Sequence, residues 1–246
     1  MERITDNIAI MHGDCLDAVG AWPADAAIVT DPPYGIGYVH TGTGGGIQSR
    51  RNSKPIHGDD RPFDPSPFLR FRWVLLWGAD HYKSRLPDSG SMLAWDKSCG
   101  KGPKDTFVDG EFAWCNVGGV KRNVCNYLWK GLVSVKKGED GGRRYHPTQK
   151  PVGLCEWCLK ALALPPGTLV IDPFMGVGSV GLACIRTGMR YLGVEIEKDH
   201  YEKAKWRLLR AVAGECVASG VIAEDAGRQM DEIGSHSQFP SRGLWE

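Results

Sequence analysis

The apolar run Ala26, Ala27, Ile28, Val29 stops abruptly at Asp31-Pro32-Pro33-Tyr34, with Gly35 behind it. A short β-branched run closed by an acid and two prolines reads as a buried strand halted at its carboxyl end. In an open α/β sheet that end is where ligands bind. Proline fixes its own φ and holds the preceding residue extended, so Asp31, Pro32 and Pro33 are stiff. A carboxylate, the Pro32 carbonyl and the Tyr34 ring then suit a planar, amine-bearing ring that donates two hydrogen bonds and stacks, such as a nucleobase. Taken alone, the tetrapeptide would sooner be read as a strand-ending turn with an exposed tyrosine.

Other segments repeat the pattern. Residues 8–11 form an apolar run leading into Gly13-Asp14-Cys15, and Asp14 either caps a short helix over 16–22 or joins Asp31 along one sheet rim. Residues 168–171 run into Asp172-Pro173-Phe174-Met175-Gly176-Val177-Gly178-Ser179, a helix follows over 179–187, and a strand over 191–194 ends at Glu195. Residues 71–77, 92–95, 111–116 and 124–129 read as further strands, and 79–86 as a short helix. His146-Pro147-Thr148-Gln149-Lys150-Pro151 opens a helix with Val152, Cys155, Leu159 and Leu162 on one face, and residues 202–213 form a covering helix. The class is α/β, in one domain over residues 1–213 with an extension over 214–246.

Thirty basic against 29 acidic residues leave a net charge of +1, so whole-chain charge does not mark a nucleic-acid binder. Local charge does. Between residues 121 and 150 lie eight Lys/Arg, among them Lys121, Arg122, Lys136, Lys137, Arg143 and Arg144, against two acids, a net +6. Trp129, Tyr145 and several glycines interleave with that charge, as strand-binding loops do, although a solvated face has the same composition. Residues 37–62 read as a long mobile loop carrying Arg50, Arg51 and Lys54, suited to closing over a polyanion. No apolar run of about 18 residues exists, so no membrane span is expected, and the start lacks a signal peptide's apolar core, which predicts a cytoplasmic protein. The eight cysteines sit among apolar neighbours, as reduced thiols do. Cys155 and Cys158 have ligand-like spacing but no second pair at zinc-finger distance, so no metal is expected.

Gly176-x-Gly178-x-x-Gly181 satisfies the dinucleotide pattern, which would make the chain a nicotinamide or flavin enzyme. Against this, four residues including Asp172 separate the strand from the first glycine. A carboxylate there repels pyrophosphate and attracts the ammonium of an amino acid. An acid at the position of Glu195 accepts from ribose hydroxyls. Ribose, adenine and an amino-acid tail without phosphate describe S-adenosylmethionine.

Taken in order, Gly13-Asp14-Cys15-Leu16, DPPYG, HPTQKP, DPFMGVGS and Glu195 resemble the amino-methylating DNA methyltransferases, in the permuted order of the β group. The resemblance implies a Rossmann-like methyltransferase fold: a seven-stranded, mostly parallel sheet with one antiparallel strand and flanking helices. It implies that Asp31, Pro32, Pro33 and Tyr34 are catalytic. It places Asp172, Phe174, Met175, Gly176, Gly178 and Ser179 around the methionine part of S-adenosylmethionine, Glu195 on the ribose and Asp14 on the adenine. Thr148 and Lys150 are implied at the methionine end. The expected substrate is the N6 amine of an adenine flipped out of double-stranded DNA, since Asp at the first position favours adenine among such enzymes; cytosine N4 is the alternative. RNA or protein methylation is a remoter one. Monomer and homodimer are both compatible with the pattern.

Overall fold

In the computed structural model the described residues are 1–37, 56–99, 110–130, 133–134, 145 and 149–214. Eleven strands are found among them: β1 (Glu2–Arg3), β2 (Ile8–His12), β3 (Ala27–Thr30), β4 (Trp73–Trp77), β5 (Ser91–Asp96), β6 (Gly110–Cys115), β7 (Val124–Asn126), β8 (Trp129–Lys130), β9 (Val133–Ser134), β10 (Leu169–Asp172) and β11 (Arg190–Glu195). Three α-helices accompany them: α1 (Val152–Ala161), α2 (Ser179–Thr187) and α3 (Lys198–Val212). Nine strands form one sheet in the order β1-β2-β11-β10-β3-β4-β6-β5-β7, while β8 and β9 pair by themselves.

From β2 to β4 every neighbour is parallel; β6 runs antiparallel to both β4 and β5. The seven strands from β2 to β5 are therefore the expected sheet with its one reversed strand. The sheet is wider than expected because two short edges, the antiparallel β1 and the parallel β7, extend it. Residues 124–129 were read as a strand and 124–126 of them form β7, whereas β1 carries no apolar run that marks a strand in sequence.

The central strands β3 and β10 are buried along their whole length, as sheets covered on both faces require. One face packs Val29, Leu75, Trp77 and Val170 against α1, α2 and α3. On the opposite face Ile28, Val74, Leu76 and Ile171 meet Trp22, Phe63, Phe68 and Tyr82 from loops and 3-10 turns. The helices expected over 16–22 and 79–86 are only such turns, Cys15–Asp17, Val19–Ala21 and Lys83–Arg85. Gly20 and the prolines at 23 and 87 leave too few residues for the hydrogen-bonded turns an α-helix needs. No described helix is long and apolar enough to cross a membrane.

Residues 38–55 of the expected mobile loop lie outside the described residues, as do 215–246. The described end of that loop is anchored: Asp59, 3% exposed, accepts from the Gly35 amide at 2.7 Å and the Ile36 amide at 3.2 Å.

Candidate active site on the carboxyl rim of the sheet

Because β2, β11, β10, β3 and β4 are parallel, their carboxyl ends share one rim, and reversed β6 brings its amino end there. Along that rim lie Asp14, Glu195, Asp172, Asp31 and Glu111. Four of these were expected from sequence; Glu111 was read only as the start of a strand.

The half formed by β2, β11 and β10 carries two buried carboxylates. Asp172 is 2% exposed and Glu195 7% exposed. Asp172 Oδ1 accepts from Thr30 Oγ1 at 2.6 Å and from the Phe174 amide at 3.3 Å. Burial nevertheless pushes its carboxyl up to about 7. Glu195 is also held above the ordinary value by burial, although the Glu197 and Gly176 amides each donate to it at 2.8 Å. Met175 is buried and its amide donates to the Val194 carbonyl at 2.9 Å, which lays the loop after β10 across the end of β11. Gly178 ends that loop at φ +82°, a conformation side-chain-bearing residues rarely adopt, and α2 starts at Ser179. Phe174 meets Phe63 and Phe68 edge-on at 5.8 and 5.9 Å. Asp14 accepts from the Leu16 amide at 2.9 Å and so caps the first 3-10 turn, at the end of the strand beside Glu195.

The half formed by β3, β4 and β6 is an ion network. Asp31 Oδ1 accepts from Tyr34 Oη at 2.5 Å and Asp31 Oδ2 lies 2.6 Å from Lys150 Nζ. Lys150 Nζ is also 3.0 Å from Glu111 Oε2, and Lys97 pairs with the other Glu111 oxygen. Burial alone would lower the Lys150 ammonium, but Asp31 and Glu111 outweigh it and hold the group well above its ordinary value. Burial likewise opposes the charge of Glu111, and Lys150 and Lys97 outweigh that, holding its carboxyl down at about 2. Lys150 was expected at the methionine end of a cofactor; its ammonium lies against the Asp31 carboxylate.

Tyr34 is stacked on His81, with ring centroids 4.9 Å apart and planes 17° from parallel. Gly78, at φ +72°, lies against the same ring: a Cβ there would sit 2.0 Å from Tyr34 Cε1. Gly78 N donates to the Phe112 carbonyl at 2.8 Å, so β6 fixes the turn that seats the tyrosine.

The expected basic contacts are only partly visible. Lys121 and Arg122 are exposed just before β7. Arg50, Arg51, Lys54, Lys136, Lys137, Arg143, Arg144 and Thr148 lie outside the described residues. Cys155 and Cys158 are buried in α1, and no group of three or more His, Cys, Asp or Glu able to hold a metal is found among the described residues.

A parallel sheet with one reversed strand and paired acidic loops on its carboxyl rim defines the Rossmann-like methyltransferase fold. The comparisons agree. Residues 118–206 match the N6/N4 family model described as DNA methylase. YubD of Escherichia coli (strain K12), by its name a candidate methylase, is 28% identical over 230 residues, covering 80% of this chain and 88% of that one. The PvuII DNA methyltransferase (cytosine-N4-specific) superposes with a TM-score of 0.58 at 15% identity, over 92% of each chain. An M1.HpyAVI–SAM complex superposes at 0.52 and 23% identity, over 82% of this chain and all of that one. The two solved structures share the fold, and the sequence matches are to DNA methylases over residues 118–206 and to the YubD relative over most of the chain.

Proposed function

We propose that this chain transfers the methyl group of S-adenosylmethionine to the N6 amine of an adenine turned out of double-stranded DNA, in the permuted DPPY manner. The observation that carries the reading is the adjacency of β3 and β10. It sets the stiff Asp31-Pro32-Pro33-Tyr34 segment beside the Asp172–Ser179 loop on one rim.

The residues fit the donor. Ser179 Oγ is buried with no hydrogen-bond partner among the described residues. Asp172 and Glu195 are buried acids that a cationic, phosphate-free ligand would relieve, whereas a pyrophosphate would meet two repelling carboxylates. Asp172, Phe174, Met175, Gly176, Gly178 and Ser179 would hold its amino-acid part, Glu195 the ribose and Asp14 the adenine. S-adenosylmethionine, when bound, supplies a methyl group on a positively charged sulfur.

The chain's own part is to make a poor nucleophile attack. An exocyclic amine has its lone pair delocalised into the ring. Donating its protons to the Asp31 carboxylate and the Pro32 carbonyl favours a pyramidal nitrogen with that pair free. The positive charge that develops on nitrogen is stabilised by the same acceptors, which is differential binding of the transition state. Tyr34 offers stacking that partly offsets what the base loses on leaving the duplex. Residues 1–213 would carry this activity, with the basic stretches 37–62 and 121–150 against DNA and 214–246 as an extension.

Cytosine N4 is the second reading, since both amines suit the same acceptors and the PvuII neighbour is named for that base. The test is incubation with labelled S-adenosylmethionine and DNA, digestion to nucleosides and mass identification of the product. N6-methyladenine is expected, and N4-methylcytosine would replace the base assignment. Asp31→Ala should lower transfer at least ~10²-fold with donor binding retained; wild-type transfer in that variant would remove Asp31 from catalysis.

A further inference from the structure

Glu111 is an acid in a strand whose later residues, Ala113, Trp114 and Cys115, are buried. It stands directly across from Trp95 on β5. The Lys150 ammonium is 2.6 Å from Asp31 Oδ2 and 3.0 Å from Glu111 Oε2, and its side chain is only 8% exposed. Lys97 holds the remaining Glu111 oxygen. Two indole faces line the cations: Lys150 Nζ lies 5.2 Å from the Trp77 centroid and Lys97 Nζ 4.8 Å from that of Trp95, with the two rings 6.2 Å apart edge to face.

Both oxygens of Asp31 are thus occupied from within the chain, by Tyr34 and Lys150. Each Asp31 oxygen keeps a second lone pair for a target amine, but the positive charge that amine develops then lies beside the Lys150 ammonium on the same carboxylate and repels it. A buried ammonium displaced from its sole counter-ion would be left uncompensated, which is strongly unfavourable. Lys150 has a second carboxylate already within reach.

We propose that Glu111 is a positioning residue that shares the Lys150 ammonium with Asp31, so that Lys150 withdraws onto Glu111 when the target amine donates to Asp31. The proposal rests on the functional reading above for the identity of the amine, and on the ion geometry for the hand-over. Lys97 keeps Glu111 paired on its other oxygen, so the withdrawal changes the partner of one group only. Removing the charge of Glu111 would fix Lys150 on Asp31, where it opposes the charge the amine develops.

The test is a double-mutant cycle of Glu111→Gln and Lys150→Gln in the full chain, read by methyl transfer, by calorimetric binding of S-adenosylmethionine, and by solvent exchange of the Lys150 ammonium protons in ¹⁵N NMR. In E111Q, transfer is expected to fall at least tenfold through weaker use of the target base, with donor affinity within threefold of wild type. Ammonium exchange should quicken at least tenfold. Adding E111Q to K150Q should cost less than twofold more, because the ammonium through which Glu111 acts is gone. Wild-type transfer in E111Q, fully multiplicative losses in the double variant, or unchanged ammonium exchange would each overturn the proposal. A wild-type protein inert towards DNA would overturn the functional reading instead, and the exchange measurement alone would then decide whether Lys150 is shared. If E111Q does not fold, Glu111→Asp, with the charge one methylene further back, takes its place: an intermediate loss supports the hand-over and full activity refutes it.

Discussion

Thr30 Oγ1 donates to Asp172 Oδ1 at 2.6 Å across 142 residues of chain, and accepts from the Phe174 amide at 3.3 Å. One hydroxyl therefore joins the end of the strand that carries Asp31 to the loop that begins at Asp172. Because Thr30 directly precedes Asp31, a shift of the loop moves the backbone that aims the Asp31 carboxylate.

This junction has a pH signature. Burial raises the Asp172 carboxyl from the ordinary 3.8 to about 7. The folded state thus binds that proton more tightly than the unfolded state does, so the group's contribution is fully present below about pH 4 and is lost as pH rises through 7. Asp172→Asn cannot ionise. Relative to wild type it should gain stability between pH 5 and pH 8, by up to about 4 kcal/mol. Urea unfolding at pH 5, 6.5 and 8 measures the difference; one that does not change with pH would contradict the assigned burial.

Gly78 offers a steric test. A methyl group there meets Tyr34 Cε1 at 2.0 Å on a backbone at φ +72°. Gly78→Ala is expected to lose about 1–3 kcal/mol of stability and to push the tyrosine out of its seat. Thermal unfolding together with a transfer assay distinguishes a displaced Tyr34 from a tolerated methyl, which would leave both readouts at wild-type values.

At Tyr34 the ring and the hydroxyl separate cleanly. Tyr34→Phe keeps the stack on His81 and loses the hydroxyl, which donates to Asp31 and accepts from Lys150 Nζ at 3.4 Å. Tyr34→Ala loses both. With 2-aminopurine at the target position, the alanine variant should engage the base roughly 10- to 100-fold more weakly, in line with about 1–3 kcal/mol per stacked base, while the phenylalanine variant stays near wild type. Equal signals from the two variants would show that the ring does not stack on the base.

Exposed Lys121 and Arg122 precede β7. If both neutralise phosphates, Lys121→Glu with Arg122→Glu should reduce the slope of log affinity against log salt by roughly 2. An unaltered slope would move the basic footprint to the stretches on either side of these two residues.

The seven long strands were legible because each is an apolar run, and α1 and α2 because apolar residues recur at helical spacing between glycine and proline stops. The rim acids Asp14, Asp31, Asp172 and Glu195 were legible by their place directly after such runs. Thr30 was not, since nothing in Ala27–Thr30 separates a buried hydroxyl that bonds across the sheet from one that merely fills a strand. Glu111 was hidden for a related reason: its partners Lys97, Lys150 and, through Lys150, Asp31 are brought together only by the reversal of β6. The place expected for Lys150 followed its neighbours in sequence; that its ammonium also reaches Asp31 depends on α1 packing beneath the sheet, which no local pattern shows. The 3-10 turns replaced short helices where glycine and proline cut the chain too finely for periodicity to speak.

The strand order has a consequence for synthesis. β10 and β11, made last, occupy the middle of the sheet between β2 and β3, made first. A nascent chain that has not yet emerged past residue 195 holds β2 and β3 with their inner edges unpaired and apolar. Such edges are templates for aggregation, and contacts across this much sequence form slowly. Completion of the molecule is therefore an insertion from the carboxyl end, and the same late event that closes the sheet is the one that brings Asp172 to Thr30.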